Sequence, residues 1–284
     1  MGRIVYVDGE YVDESEAKVS VFDRGFLFSD GVYEVTSVLE GKLIDFPGHC
    51  ARLARSLGEL GMPAPCSDEA LLEAHRELVA RNGGEEGLVY LQVSRKSVDR
   101  DFLWDEDMPS TRVMFTQSKK IADNPAAETG SKVISIDDIR WGRRDIKTVQ
   151  LLFPSLAKME AKKQGKDDAW MVEDGEVPEG TSNNAYIVKA DGTIVTRGLS
   201  NSILHGITRA AVLRYAAEAQ IKVEERPFTI QEAQGAAEAF FTSASAFVMP
   251  VVVVDGAVWV DVAPGPVSRR LREIYLDESR RAAI

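Results

Sequence analysis

Cysteine and histidine are scarce in this sequence. Its 284 residues include two cysteines, Cys50 and Cys66, and three histidines. The cysteines do not form a C-x-x-C pair, and together with the histidines they lack the spacing of a zinc site. We therefore expect two reduced thiols in a cytoplasmic protein and no catalytic metal.

Long apolar runs and an excess of positive charge are lacking as well. No run approaches the roughly 20 apolar residues of a membrane helix. The N-terminal residues enter a strand pattern at once, without the charged and then apolar segment of a secretory signal, so we expect no export. The net charge of -11 argues against nucleic acids and anionic membranes as partners, because binding their phosphates needs a positive surface.

What the sequence does have is a series of short apolar segments joined by two-residue turns. Such turns are strong hairpin signals, and they occur at Asp8-Gly9, Glu40-Gly41, Asp191-Gly192 and Asp255-Gly256. The last of them predicts a strand at Val258–Val260. Helical patterns are predicted at His49–Leu60, Ser67–Arg81, Thr148–Lys163 and Gly206–Gln220, with a final helix from Gly265.

The order of these elements predicts an α+β fold in two parts. Residues 1–117 form the predicted N-terminal domain. Residues 118–130 lose periodicity and contain Asn124-Pro125, which predicts a linker. Residues 131–284 form the predicted C-terminal domain.

A lysine stands at a predicted junction between a strand and a helix near the middle of the chain. The apolar alternation Val133–Ile136 predicts the strand, and Lys147 follows it after Arg140, Arg143 and Arg144. If this lysine is buried among cations, its ammonium form is disfavoured and a nucleophilic amine becomes available. The alternative is a basic cluster on a surface loop.

Two further patterns are typical of a site for a phosphorylated, ring-containing cofactor. The segment Gly206-Ile207-Thr208 opens a helix whose amides can bind an anion, and Thr242–Ser245 and Arg52 can add donors. Glu179 lies in a polar loop, where it could pair with a cationic ring nitrogen. Taken singly, these features also fit a helix cap and a solvated turn. A lysine nucleophile, a phosphate site and a carboxylate are together what pyridoxal phosphate requires.

The chain resembles the fold-type IV pyridoxal-phosphate enzymes, which are the class IV aminotransferases, and within them the D-amino-acid aminotransferases. The resemblance spans nearly the whole chain and is more specific for the family than for the substrate. It is carried by Asp23–Val35, His49–Leu53, Asp138–Trp141, Asp145–Lys147, Glu179–Asn184, Gly206–Arg209 and Thr242–Ser245.

This resemblance implies a two-domain architecture and a homodimer. It implies a smaller N-terminal α/β sandwich and a larger C-terminal domain with mostly antiparallel sheets. Lys147 matches the lysine that forms the internal aldimine with pyridoxal 5'-phosphate and later moves the proton. Glu179 matches the partner of the ring nitrogen, Leu204 packs on the ring, and Tyr33 lies beside the cofactor and the substrate carboxylate. The matching phosphate ligands are Arg52, Ile207, Thr208, Ser243 and Ala244, although Ala244 lacks the hydroxyl that is common there.

The loop after Arg95 departs from the pattern of its relatives. D-amino-acid aminotransferases often have an Arg-x-His pair there, whereas this chain reads Arg100-Asp101-Phe102. Ser37 likewise stands where a lysine is common. We interpret Arg100 and Phe102 as substrate-binding residues, with Arg100 holding a carboxylate. The alternative is that Arg100 is a mobile surface charge.

These observations predict a transaminase that moves the amino group of a D-amino acid, such as D-alanine, to 2-oxoglutarate or pyruvate. Three alternatives use the same fold: a branched-chain L-amino-acid aminotransferase, an (R)-amine transaminase and an enzyme of the aminodeoxychorismate lyase type. A protein that carries the cofactor without turnover is a fourth. The presence of both Lys147 and Glu179 argues against that last alternative.

Overall fold

The computed structural model describes residues 2–258 and 264–284, which belong to two units. Unit 1 consists of Met1–Lys120, Ile146–Gln150 and Ala282–Ile284, and unit 2 of Ile121–Asp145 and Leu151–Arg281. The predicted domain boundaries stay a prediction. No helix in the described part of the chain is long and apolar enough to cross a membrane.

Unit 1 is built on one antiparallel sheet. Its elements are β1 (Ile4–Val7), β2 (Glu10–Asp13), α1 (Arg24–Phe28), β3 (Gly31–Leu39), β4 (Lys42–Leu43), α2 (Phe46–Glu59), α3 (Asp68–Asn82), β5 (Glu86–Arg95) and β6 (Ser110–Ser118). The six strands lie in the order β2-β1-β6-β5-β3-β4. Every pair of neighbours is antiparallel, as the hairpin turns predict.

Local chemistry explains most of these elements. Glu40 and Gly41 have φ angles of 52° and 73°, which is the backbone that a tight two-residue hairpin turn requires. Helix α2 begins at Phe46, three residues before the predicted start, because a proline fits the first turn of a helix without losing a hydrogen bond. The side chain of Asp23 caps α1 by accepting a hydrogen bond from the Gly25 amide.

Unit 2 is built on a mixed sheet. Its elements are α4 (Ala126–Thr129), β7 (Ser131–Asp137), α5 (Leu152–Lys163), β8 (Asp168–Val172), β9 (Asn184–Val188), β10 (Ile194–Thr196), α6 (Ile207–Glu218), β11 (Val223–Glu225), α7 (Ile230–Gln234), β12 (Glu238–Ser243), β13 (Phe247–Val254), β14 (Ala257–Val258) and α8 (Pro266–Ala282). The strand order is β11-β10-β9-β12-β13-β7-β8, with β14 paired to β13. Four pairs are antiparallel and three are parallel, so the prediction of an α+β fold with mostly antiparallel sheets is confirmed.

The segment that contains Lys147 differs from its prediction. The predicted helix from Thr148 begins only at Leu152. The residues before it extend the edge of the unit 1 sheet instead: Thr148 forms a bridge with Val32, and the Val149 amide donates to the Gly31 carbonyl. Backbone pairing therefore overrides the helical pattern there. Of the predicted strand Val258–Val260, only Val258 belongs to the described residues.

Candidate active site

Lys147 lies in unit 1 against Tyr33. The Tyr33 amide donates to the Lys147 carbonyl over 3.0 Å, and the Lys147 amide donates to Ser56 Oγ over 3.3 Å. Its half-buried side chain places Nζ 4.0 Å from the centroid of the Tyr33 ring, where a cation is attracted by the ring. Among the described residues of unit 1, no carboxylate pairs with this amine.

The three arginines that precede Lys147 in the sequence belong to unit 2, and each is paired with a carboxylate. The pairs are Arg140 with Asp138 and Glu179, Arg143 with Asp145, and Arg144 with Asp138 and Glu173. These charges are therefore compensated within unit 2, and the predicted burial of Lys147 among cations stays a prediction. Arg144 is only 7% exposed, so the alternative of a basic cluster on a surface loop is wrong for this arginine. The neighbouring Asp145 is fully buried.

Arg52 in α2 is held by a buried carboxylate on β3. Its Nε and Nη2 donate to the two oxygens of Glu34 over 2.8 and 2.6 Å, and His49 Nδ1 lies 2.7 Å from Glu34 Oε2. Burial acts to raise the pKa of Glu34, but Arg52 and His49 outweigh it and lower the pKa to about 2. Tyr33, which lies beside Lys147, and Glu34, which holds Arg52, are consecutive residues of β3.

The predicted substrate residues Arg100 and Phe102 form an exposed aromatic cluster with Phe28. Arg100 Cζ lies 5.3 Å from the Phe28 ring centroid and 5.8 Å from that of Phe102. The two rings are 5.6 Å apart, and Phe102 is 73% exposed. Arg100 is exposed and has no carboxylate partner among the described residues of unit 1.

Two buried arginines anchor this loop. Arg24 Nη1 donates to the Asp101 carbonyl over 2.6 Å. The guanidinium carbons of Arg24 and Arg95 lie 5.0 and 4.4 Å from the Trp104 ring, and both arginines bond to Asp30 Oδ2. The backbone of the loop is therefore held at Asp101, between the exposed side chains of Arg100 and Phe102.

Glu179 in unit 2 is a buried carboxylate that accepts three hydrogen bonds. Arg140 Nη1 donates to Oε1 over 2.8 Å, and the Leu204 amide and Asn184 Nδ2 donate to Oε2 over 3.0 and 3.3 Å. Burial raises the pKa of Glu179, and Arg140 and the Leu204 amide oppose that effect only in part. Arg140 is itself held by Asp138, to which it bonds through Nε and Nη2.

A second buried carboxylate shapes the loop that carries Glu179. Asp168 accepts hydrogen bonds from the Thr181 hydroxyl over 2.5 Å, from Asn183 Nδ2 over 2.9 Å and from the Ala169 amide over 2.8 Å. The Glu179 carbonyl also accepts from the Met171 amide. The loop is therefore tied to β8 at Glu179 itself and at Thr181 and Asn183, which follow it.

The predicted phosphate residues of unit 2 lie at a helix start and at a strand end. Gly206 precedes α6 without a side-chain cap, which leaves the first amides of the helix for an anion. A Cβ at Gly206 would lie 2.1 Å from Asn184 Oδ1, so glycine is required beside Asn184. On β12, Thr242 pairs with Asn184 in register, and Ser243 follows it.

Asn184 therefore joins several of the predicted residues in unit 2. Its Nδ2 bonds both to Glu179 and to the Leu204 carbonyl, over 3.3 and 3.0 Å. A buried carboxylate and an uncapped helix N-terminus on one framework fit the ring nitrogen and the phosphate of pyridoxal phosphate. Asn184 and Glu34 were not predicted as site residues, although both lie in segments that carry the family resemblance, and Arg140 was predicted only as one of the cations near Lys147.

Comparisons with known proteins agree with this framework. The sequence matches the family described as amino-transferase class IV over residues 31–254. It is similar to the D-alanine aminotransferase of Staphylococcus aureus strain MSSA476, with 38% identity over 271 residues and 95% of each chain. It is also similar to the D-alanine aminotransferase of Bacillus licheniformis, with 35% identity over 268 residues and 94% of each chain.

A solved structure shows the same fold. It is the branched-chain aminotransferase of the thermophilic archaeon Thermoproteus uzoniensis with norvaline, and the match covers 97% of this chain and 94% of the other with a TM-score of 0.85 and 28% identity. The chain belongs to the class IV aminotransferases. The family resemblance and the prediction of an aminotransferase are thereby confirmed.

Proposed function

We propose that this aminotransferase moves the amino group of a D-amino acid, such as D-alanine, to a 2-oxo acid, with 2-oxoglutarate and pyruvate as candidate acceptors. The observation that carries the choice of donor is the 38% identity, over 95% of the chain, to a relative named D-alanine aminotransferase. Pyridoxal 5'-phosphate is the cofactor of this family, and when bound it supplies an electron sink for the charge that develops at the donor Cα.

The proposal gives Lys147 two tasks. Its amine holds the cofactor covalently, and in the free-base form it takes the proton from the donor Cα. The half-buried position over Tyr33, without a carboxylate partner among the described residues of unit 1, supports both tasks because no salt bridge must be broken first. Tyr33 would then lie beside the donor.

Glu179 holds the proton on the ring nitrogen in this proposal. A carboxylate that is buried and fixed by three donors can stabilise a cationic ring nitrogen without reorganising. Leu204, which donates its amide to Glu179, would pack on the ring. The phosphate would bind at the residues that the family resemblance assigns to it: Arg52, Ile207, Thr208, Ser243 and Ala244.

Arg100 and Phe102 are proposed to bind the donor. Arg100 is an exposed cation on an aromatic pair and could bond the α-carboxylate through its planar fork. Phe102 adds apolar surface where the common histidine would add a donor.

A branched-chain L-amino-acid aminotransferase is the second candidate. The fold match to the Thermoproteus uzoniensis enzyme named as a branched-chain aminotransferase favours it, and so does Phe102 in place of histidine, because an apolar residue suits an apolar donor side chain. The cytoplasmic location and the homodimer stay predictions.

A donor panel tests the proposal. The purified chain loaded with cofactor should convert from the lysine-bound to the amine-bound absorbance with D-alanine, and 2-oxoglutarate should reverse the change. L-Alanine, L-leucine and (R)-1-phenylethylamine are the comparison donors. Turnover of L-leucine without turnover of any D-amino acid would refute the donor assignment and favour the second candidate.

Lys147→Ala should abolish both the lysine-bound absorbance and turnover. The matched control is Lys163→Ala, because the Lys163 side chain is 70% exposed in the last turn of α5 and pairs with nearby Glu160. Turnover that survives Lys147→Ala would refute the role of this lysine and leave the family assignment intact.

A further inference from the structure

An arginine of α8 is buried against backbone carbonyls. Arg272 is 8% exposed, and its two terminal nitrogens donate to four carbonyl oxygens over 2.7 to 2.9 Å. The four acceptors are the carbonyls of Ile121, Ala122, Ala246 and Val248. One side chain thereby ties the start of unit 2 to the connection between β12 and β13.

The charge of Arg272 has no carboxylate in contact with it among the described residues. Burial lowers the pKa of Arg272, and the more distant Glu128 and Asp123 only partly oppose that effect. A buried cation without a counterion is costly, so an anion bound nearby would be stabilised by it.

Two of the carbonyls that Arg272 binds, those of Ala246 and Val248, flank Phe247, whose backbone conformation is unfavourable. Phe247 is fully buried and has a φ of 58°, in the left-handed region that disfavours residues with a Cβ. Arg272 Nη1 bonds the carbonyls of both Ala246 and Val248. The Phe247 ring also packs on Tyr275, one turn further along α8, with centroids 5.1 Å apart. Helix α8 thus holds this turn in its shape.

The turn is the end of the loop Ser243–Ala246. The Ala246 amide donates to the Ser243 carbonyl over 3.3 Å, so fixing Ala246 also fixes the backbone at Ser243. We propose that Arg272 is a positioning residue for phosphate: it sets the backbone of Ser243–Ala246 and adds an uncompensated positive charge behind it. This inference rests on the proposed function, which assigns Ser243 and Ala244 to the cofactor phosphate.

Pyridoxal, which lacks the phosphate, separates this role from a merely structural one. The full-length chain is freed of cofactor, and the dissociation constants of pyridoxal 5'-phosphate and pyridoxal are measured by the absorbance of the lysine-bound form. Arg272→Met should weaken binding of pyridoxal 5'-phosphate about tenfold or more and that of pyridoxal less than about threefold. Arg272→Lys, which keeps the charge but cannot bond four carbonyls, should give an intermediate loss for the phosphorylated ligand.

The matched control is Arg270→Met, because Arg270 is exposed on the same helix. It should change neither dissociation constant. If the Arg272 variants lose affinity equally for both ligands, or for neither, the inference is overturned. If Arg272→Met does not fold, the same comparison of the two dissociation constants in Arg272→Lys decides. A wild-type chain that forms no lysine-bound absorbance with pyridoxal 5'-phosphate would instead overturn the proposed function.

Discussion

Replacing Arg140 with methionine would show how much the ion pair between Arg140 and Glu179 contributes to the stability of the folded chain. Arg140 Nη1 lies 2.8 Å from Glu179 Oε1, and the two side chains are 12% and 5% exposed. Removing one partner of such a buried pair leaves an uncompensated charge, so we expect the free energy of unfolding to fall by about 3–5 kcal/mol. Asp138 loses one of its two arginine partners in the same variant and keeps Arg144, which places the expected loss in the upper half of that range.

The loss should depend on pH in a definite direction. Burial already raises the pKa of Glu179 above 4.5, and loss of Arg140 raises it further. An acid with a higher pKa in the folded than in the unfolded state takes up protons on folding, so its folded state gains stability as the pH falls. The destabilisation by Arg140→Met should therefore be largest at neutral pH and shrink as the pH is lowered through the raised pKa.

Urea denaturation of the cofactor-free, full-length chain measures this effect without a contribution from cofactor binding. Adding Glu179→Gln to Arg140→Met removes the buried charge and should recover about 1–3 kcal/mol. The control is Arg281→Met, because its side chain is 71% exposed and pairs with Glu278, and such pairs contribute about 1 kcal/mol or less. A loss no larger than the control, or a double variant no more stable than the single one, would refute the reasoning.

Two further predictions concern unit 1. Glu34→Gln should lower the free energy of unfolding by about 3–5 kcal/mol at neutral pH, because Arg52 and His49 lose a buried carboxylate. The pKa of Glu34 is lowered from 4.5 to about 2, so in wild type this stabilisation should be lost as the pH falls between those values, and its persistence at pH 2 would contradict the assignment. Burial raises the pKa of the Cys50 thiol to about 12, so iodoacetamide at about pH 8 should modify Cys50 only after denaturation. Mass spectrometry of the peptides checks this, and modification of Cys50 in the folded chain would contradict its burial.

The parts of the fold that local sequence determines were predictable. The hairpin at Glu40-Gly41 follows from a glycine, which accepts positive φ, between two apolar segments, and the helix from Ser67 follows from its cap and its acidic first turn. The segment Ile146–Gln150 was not predictable in the same way. From Thr148 on, its residues belong to a helical pattern, but the backbone of this segment pairs with β3. Such pairing between distant segments leaves no mark in a short window of sequence.

The same distinction applies to the candidate site. The motifs around Glu179 and Gly206 pointed to a carboxylate and an anion site because each is contained in a few consecutive residues. The pairing of Arg140 with Glu179 joins residues 39 positions apart, and that of Arg144 with Glu173 joins residues 29 positions apart. Arg140 and Arg143 are also compensated locally, by Asp138 and Asp145 two positions away. The distant pairs with Glu179 and Glu173, in contrast, leave no mark in a short stretch of sequence.

These contrasts also explain why the family is easier to establish than the donor. Glu179 is buried, and its three donors come from three different segments, so a change there disturbs charge, packing and loop shape together. The side chains of Arg100 and Phe102, in the loop after Arg95, are exposed and touch other side chains mainly through ring contacts. These exposed side chains can change at little cost in stability while Arg24 holds the backbone carbonyl of Asp101 between them. Substitutions at Arg100 and Phe102 should therefore alter the choice of donor while leaving the chemistry at Lys147 unchanged.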